Sequence, residues 1–360
     1  MDVQPDIPWT LDAITDDWLD AALRESGVLG EACVIAHKVG AAPETGLVAS
    51  AAPLQVSYDR VEAGAPSSIY VKCTRHVPDI CETEVGFYRD LAPWLGDIVP
   101  RCFGAWWNGR SRSTILLEDM ASFEVGTWWT YAVDDAARAL EAIARVHARY
   151  WDRAPVVSWL HLSRTLTPEA IAALAAAVDP FASRFPFESA RVLAEASRAM
   201  LRRPDDLAAL LAGFPQTLTH QDFHSQNVFP RSRPGARTTI FDWQLTAPDL
   251  AAVDVAYHLA ASLPVADRRS AEDMLLDRYL AALTAEGVRG FDAKSLRRQY
   301  ALGLYRIIYV MTATLGSYPL DALNRSNERA HRYGVEDGWR EMIDRVAAAA
   351  SDHRFLSLVP

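Results

Sequence analysis

Apolar positions recur along this chain with two periods, and the switch between them divides it. Leu11, Ile14, Trp18 and Leu19 share one face of a helix predicted over Leu11–Ser26, with Thr10 placed to cap it. The pattern then becomes strand-like in three short runs: Ala32–Val39, Pro53–Asp59 and Ser68–Cys73. Helical spacing returns over Asp79–Leu95, where Glu84, Phe87, Tyr88 and Leu91 line up. Two more strands, Val99–Trp107 and Ser113–Glu118, meet at an Asn108-Gly109 turn. That makes about five strands with one helix inserted after the third. Beyond Ala132 the pattern is almost wholly helical. It runs over Asp134–Trp151 and over a helix that starts at Thr167-Pro168-Glu169, with Thr as cap and Pro first. It continues over Glu188–Phe214 (broken at Pro204), Leu250–Ser262, Asp267–Glu286, Ser295–Leu315 and Gly338–Ala350. The expectation is an α+β chain with an N-terminal lobe over 1–117, a hinge over 118–121 and a larger, mainly helical lobe over 122–360.

One stretch of the helical half resists the helical period: Thr217–Gln244. It holds His220-x-Asp222-x-x-x-x-Asn227, and then Asp242 at the end of the β-type run Thr238–Phe241. Phosphoryl transfer asks for a carboxylate near the attacking hydroxyl and for oxygen ligands that hold Mg²⁺ against phosphates. Asp222 suits the first task, and Asn227 and Asp242 suit the second. Asn is scarce here, at positions 108, 227, 324 and 327 only.

Context upstream supports that chemistry. Lys38, Lys72 and Lys294 are the only lysines, so wherever charge merely solubilises this chain uses arginine. Lys72 nevertheless stands inside the apolar run Ile69–Cys73. A compact ammonium suits a point contact to phosphate oxygens and to one carboxylate; a strand-end lysine reaching solvent is the rival reading. Glu84, on the packing side of the next helix, needs a partner, and Lys72 is the natural one. Glu82 points elsewhere. The small-residue hairpin Gly40–Ser50, with Gly46 and Ser50, can offer backbone N–H groups to phosphates, or can be a plain turn. Glu118-Asp119-Met120 ends the last strand, and its backbone could meet an adenine edge.

Composition narrows the classes. A length of 360 residues fits one large domain or two lobes. A net charge of −10 argues against nucleic acid as the main partner; it suits a cationic small molecule, as it suits solubility. Cys33, Cys73, Cys81 and Cys102 form no C-x-x-C pair, which points to buried free thiols and a reducing, cytoplasmic setting. The acidic N-terminal stretch is no signal peptide. Ala301–Gly316 is interrupted by Arg306 and is shorter than the ~20 apolar residues of a membrane span, so a buried helix is expected there.

Taken in order, Lys72, Glu84, Glu118-Asp119-Met120, His220-x-Asp222-x₄-Asn227 and Asp242 resemble the eukaryotic-like kinase fold. More narrowly, His220-Gln-Asp-Phe-His-Ser-Gln-Asn227 resembles the catalytic loop of the aminoglycoside phosphotransferase and choline kinase-like family. Phe241-Asp-Trp-Gln244, Val146-His-Ala-Arg-Tyr-Trp151 and Glu84-x-x-Phe87-Tyr88 look like its ecdysteroid kinase-like (CHK) branch. The resemblance implies a two-lobed kinase-like fold and transfer of phosphate from ATP, or GTP, with Mg²⁺, to a hydroxyl of a small molecule. Asp222 would orient or deprotonate that hydroxyl, Asn227 and Asp242 would hold Mg²⁺, and Lys72 with Glu84 would grip the nucleotide phosphates. His220 would brace the loop, and Asp254 would tie it to the following helix, with Asp249 as the rival tie. Gln244 stands where a protein kinase has glycine, and no Ala-Pro-Glu follows, which argues against peptide substrates. A catalytically silent nucleotide-binding protein of the same fold is the alternative, and nucleotidyl transfer is a third reading. Aminoglycoside, macrolide, choline-like, sugar and steroid-like acceptors all stay open, for a pocket suited to a flat or cationic molecule. Of the aromatics, Trp128, Trp129 and Trp243 have the best claim to the cleft.

Overall fold

The computed structural model describes residues 7–40, 49–120, 125–153, 155–161, 165–230, 237–319 and 337–360. They form two compact units, one of 1–124 with 239–246, the other of 125–238 with 247–360. The expected α+β class is the one observed, with the strands expected in the first unit and mainly helices in the second.

The first unit is built on a five-stranded antiparallel sheet in the order β1-β2-β3-β5-β4. Its strands are β1 Val34–Val39, β2 Ala49–Tyr58, β3 Ser68–Arg75, β4 Cys102–Trp107 and β5 Arg112–Glu118. Ile69, Val71 and Cys73 point to one face of β3, into a core shared with Trp18, Leu19 and Leu23 of helix α1 (Asp16–Glu25) and with Phe103, Trp106 and Leu116. Strand alternation sends Lys72 to the opposite face, toward helix α2 (Pro78–Gly86). The β4–β5 turn is held by Asn108 Oδ1, which accepts the N–H groups of Arg110, Ser111 and Arg112 at 3.0–3.1 Å, while Gly109 takes the left-handed φ of +71°.

Boundaries differ from expectation for local reasons. The first helix starts at Asp16 rather than Leu11, after a 3₁₀ turn over Leu11–Ala13. Thr15, not Thr10, accepts the Trp18 N–H at 3.1 Å, and Asp16 and Asp17 then sit in the first turn, where the helix dipole favours them. β2 begins four residues early and runs through Pro53. That is tolerated because pairing with β1 stops at Leu54, where the Pro53 carbonyl accepts from Gly40. β4 starts at Cys102, beyond Pro100. The helix expected over Asp79–Leu95 is α-helical only to Gly86; it widens into a π turn over Phe87–Leu91 and closes as a 3₁₀ turn at Ala92–Trp94, where Pro93 has no N–H to give.

The second unit holds α3 (Val133–Arg149), α4 (Pro168–Arg184), α5 (Glu188–Arg202), α6 (Pro204–Ala212), α7 (Ala251–Ser262), α8 (Val265–Ala285), α9 (Ala293–Ser317) and a last helix, Gly338–Asp352. The break at Pro204 and the Thr167 cap, which accepts the Ala170 N–H at 3.2 Å, are as the pattern predicts. Every residue of α7 is buried. It crosses α9 closely, because Gly303 has no side chain: a Cβ there would lie 2.6 Å from the Ala252 carbonyl oxygen. Among the described residues no helix is long and apolar enough to cross a membrane.

Substituting Gly303→Leu therefore forces α7 and α9 apart. It should cost about 1–3 kcal/mol of stability, as overpacking of a tight core does, read as a lower urea midpoint by circular dichroism. An unchanged midpoint would show that the crossing has room to relax.

Candidate active site

In the first unit, three motifs far apart in sequence meet at one ammonium. Lys72 Nζ donates to Glu84 Oε1 at 2.8 Å and to Asp242 Oδ1 at 2.7 Å, with Gln244 Oε1 at 3.4 Å. Burial alone would lower the Lys72 pKa, but Asp242 and Glu84 outweigh it and hold the ammonium above its ordinary value. Burial pushes the Glu84 carboxyl up, and Lys72 pulls it only part of the way back. Asp242 has a left-handed φ of +65°, a strained position for a non-glycine residue. The turn around it is pinned by Trp243, whose ring stacks on Phe87 at 4.4 Å and 8° and whose indole N–H donates to the Ile240 carbonyl at 3.0 Å. Trp243 is fully buried, so the expectation that it faces the cleft is corrected: the turn that presents Asp242 sends the next side chain inward. Phe87 can take that stack because the π turn begins with it.

In the second unit, the loop after the strand Thr217–Thr219 carries the His220-x-Asp222-x₄-Asn227 motif. That strand pairs antiparallel with Ala247–Asp249. Gln221 has a φ of +69°, and the backbone there is tied at three points. Asp254 accepts the N–H groups of His220 at 2.7 Å and Gln221 at 2.9 Å, and Arg306 Nε donates to the Gln221 carbonyl at 2.9 Å. His147 Nε2 also donates to Asp254, at 3.1 Å, while its Nδ1 shares a hydrogen bond with the Tyr279 hydroxyl at 2.8 Å. Asp249 instead accepts from the Gln221 side chain at 3.0 Å and from the Tyr305 hydroxyl. His220 is fully buried, and its Nδ1 accepts the Asp222 N–H at 3.3 Å.

The Asp222 carboxylate accepts from the Tyr257 hydroxyl at 2.7 Å, with His224 Nε2 3.6 Å away. Burial alone would raise its pKa; His224, Tyr257 and His220 outweigh that and hold it well below the usual carboxylate range. The Asn227 side-chain NH₂ donates to the Asp222 carbonyl at 2.9 Å, which leaves its amide oxygen as the atom a ligand can use. Asn227 in the second unit and Asp242 in the first each carry a hard oxygen donor of the kind Mg²⁺ takes, one or two from protein with phosphate and water completing its shell. Among the described residues no group of three or more His, Cys, Asp or Glu forms a metal cage.

Other expected positions fall as follows. Ser50 lies in β2 opposite Cys73, and Gly46 lies outside the described residues. The Glu118 N–H is taken by the Arg101 carbonyl at 2.7 Å; the Met120 side chain is buried. Trp128 and Trp129 are half-buried, and Trp128 lies 5.1 Å from the His224 ring. Sequence reading gave neither the Tyr257 contact with Asp222 nor the Arg306 tie to the loop. A lone arginine inside the apolar run Ala301–Gly316 was the available signal for the second.

The phosphotransferase enzyme family matches residues 126–291, the stretch that holds Asp222, Asn227, Asp242 and Asp254. That match agrees with the family expected from the motifs. A choline kinase from Cryptosporidium parvum is similar in fold, with 11% identity, a TM-score of 0.56 and coverage of 94% of this chain and 95% of that one. So is a microcompartment-associated aminopropanol kinase, with 13% identity, a TM-score of 0.54 and coverage of 94% and 97%. A putative aminoglycoside phosphotransferase from Ralstonia eutropha has 14% identity, a TM-score of 0.52 and coverage of 93% and 97%. No curated protein matches the chain.

His258 yields a pH prediction. It is fully buried on α7, stacked on Phe223 at 4.4 Å, and burial with His224 nearby holds its pKa down at about 3, against 6.5 ordinarily. The unfolded chain therefore gains a proton near pH 6.5 that the folded chain refuses, so stability from His258 is present above that pH and is lost as pH falls toward 3. Urea titrations should show wild type losing stability faster than His258→Phe between pH 6.5 and 4.5. Equal slopes would show that His258 is not the group responsible.

Proposed function

We propose that this chain, whose residues 126–291 match the phosphotransferase enzyme family, transfers phosphate from ATP to a hydroxyl of a small molecule. The observation that carries the reading is the meeting of Lys72, Glu84 and Asp242 at one ammonium. A lysine held charged by two carboxylates is the group needed at nucleotide phosphates, and one of those carboxylates is the expected metal ligand. In this reading Lys72, positioned by Glu84, binds the nucleotide phosphates, and Asn227 and Asp242 hold Mg²⁺ through oxygen atoms. The backbone of Glu118 to Met120 receives the adenine edge, and the loop ending at Ser50, with Gly46, covers the phosphates. Bound Mg²⁺ supplies charge neutralisation at the phosphate oxygens. GTP is the other donor the resemblance allows.

Asp222 addresses the acceptor. A carboxylate held below its ordinary range is a weak base, so its first task is to accept a hydrogen bond from the acceptor hydroxyl and aim that oxygen. As the acceptor oxygen bonds to the γ-phosphorus, the bond from that phosphorus to the bridging oxygen breaks, ADP leaves with that electron pair, and the acceptor's proton passes to Asp222 and on to solvent. Most of the rate then comes from positioning and charge stabilisation. His220 and Asp254 keep the loop in shape.

For the acceptor, the names of the similar kinases suggest amino alcohols and aminoglycosides. The half-buried pair Trp128 and Trp129 suits a flat or cationic molecule. The Asp-Trp-Gln motif at 242–244 favours the CHK branch. The cysteines, all unpaired, fit a reducing cytoplasmic compartment.

The test is ADP release from Mg-ATP against a panel of hydroxylated small molecules. Asp222→Ala should lower stimulated turnover by about 10²–10⁴-fold while Mg-ATP still raises the melting temperature. Asp242→Ala should abolish that rise. Full turnover in the first variant, or an unchanged nucleotide titration in the second, would refute the corresponding role.

A further inference from the structure

Helix α7 meets the catalytic loop residue by residue. Asp254 takes the N–H groups of His220 and Gln221, Tyr257 takes the Asp222 carboxylate, His258 lies under the Phe223 ring, and the Ser262 hydroxyl accepts the Ser225 N–H at 2.9 Å. Positions 254, 258 and 262 recur every four residues on one helix face, with 257 beside them. Three of these contacts fix the shape of the loop. The fourth touches the reacting carboxylate itself.

We infer that Tyr257 is a positioning residue for Asp222: its phenol holds Oδ1 so that Oδ2 is presented to the acceptor hydroxyl. This rests on the phosphotransferase reading and adds the residue that sets the carboxylate's direction. An aspartate on a loop is free to rotate unless something short holds it. Oδ1 is held by the Tyr257 hydroxyl at 2.7 Å. The neighbours of Oδ2 are Asn227 Nδ2 at 3.4 Å and His224 Nε2 at 3.6 Å, too long to fix it. Among the described residues the phenol makes the one short bond to this carboxylate. Tyr257 is itself 4% exposed and rides on a helix buried on every side, so the hydroxyl cannot follow a wandering carboxylate. The position of Asp222 is thereby referred to the core rather than to the loop.

The experiment is Tyr257→Phe in the full chain, with Asp222→Ala beside it, read as ADP release from Mg-ATP with water and with each stimulating alcohol as acceptor. The expected result is a kcat lower by about tenfold to a hundredfold, the penalty of a misplaced catalytic group. The KM for Mg-ATP and the unfolding midpoint should be unchanged, and a crystal structure of the variant should show Asp222 in a second rotamer. Wild-type kcat with Asp222 unmoved overturns the inference. So does a lower kcat with Asp222 unmoved, which would put the phenol on the substrate, and so does a fall in midpoint large enough to explain the loss. If wild type turns over no faster than Asp222→Ala, the phosphotransferase reading fails, and the Asp222 rotamer in Tyr257→Phe still decides the orienting role.

Discussion

One fully buried carboxylate sets the shape of the loop that carries His220, Asp222 and Asn227. Asp254 has no contact with solvent, yet it accepts three hydrogen bonds: two from backbone N–H groups of the loop and one from His147. A buried charge without such partners would be prohibitive; with them it becomes a strong, directional anchor. Breaking a buried charged network of this kind costs about 3–5 kcal/mol, so the loop cannot readily trade this shape for another. The left-handed Gln221, which orients the residues on either side of it, is affordable only because Asp254 and Arg306 hold both its N–H and its carbonyl.

The first unit solves a matching problem with opposite charge. Its lysine must stay protonated in a buried place, and two carboxylates with one amide oxygen occupy its three donors. Asp242 reaches that point by a strained turn, and the Phe87–Trp243 stack holds the turn from behind. In both units a polar cluster is placed by a residue in an unusual backbone conformation, and the elements packed against it bear the strain.

Much of this was legible in the sequence because the chemistry-bearing residues break the local pattern. Lys72 interrupts an apolar strand in a chain that otherwise uses arginine, and the loop at 217–244 interrupts a helical half. Period alone located the five strands and most helices. It failed where one residue overrides its neighbours: Thr15 displaced Thr10 as cap, and the helix after β3 changed register at Phe87 without any change in apolar spacing. A π turn and an α-helix bury nearly the same residues over five positions, so hydrophobicity cannot separate them. Trp243 misled for a related reason. Adjacency to Asp242 says nothing of direction when that aspartate has a positive φ, which turns the next side chain into the core.

Tyr257 shows where reading by motif stops. Its hydroxyl bonds a residue 35 positions away, and nothing in the local pattern of an apolar helix distinguishes a tyrosine used for its hydroxyl from one used for its ring. The information is in the register: a helix whose Asp254 must face the loop also faces it with residues 257, 258 and 262. Once one anchor on such a helix is identified, helical geometry nominates the others. A buried helix after such a loop is then more than scaffold, because each turn it presents can fix one more point of that loop.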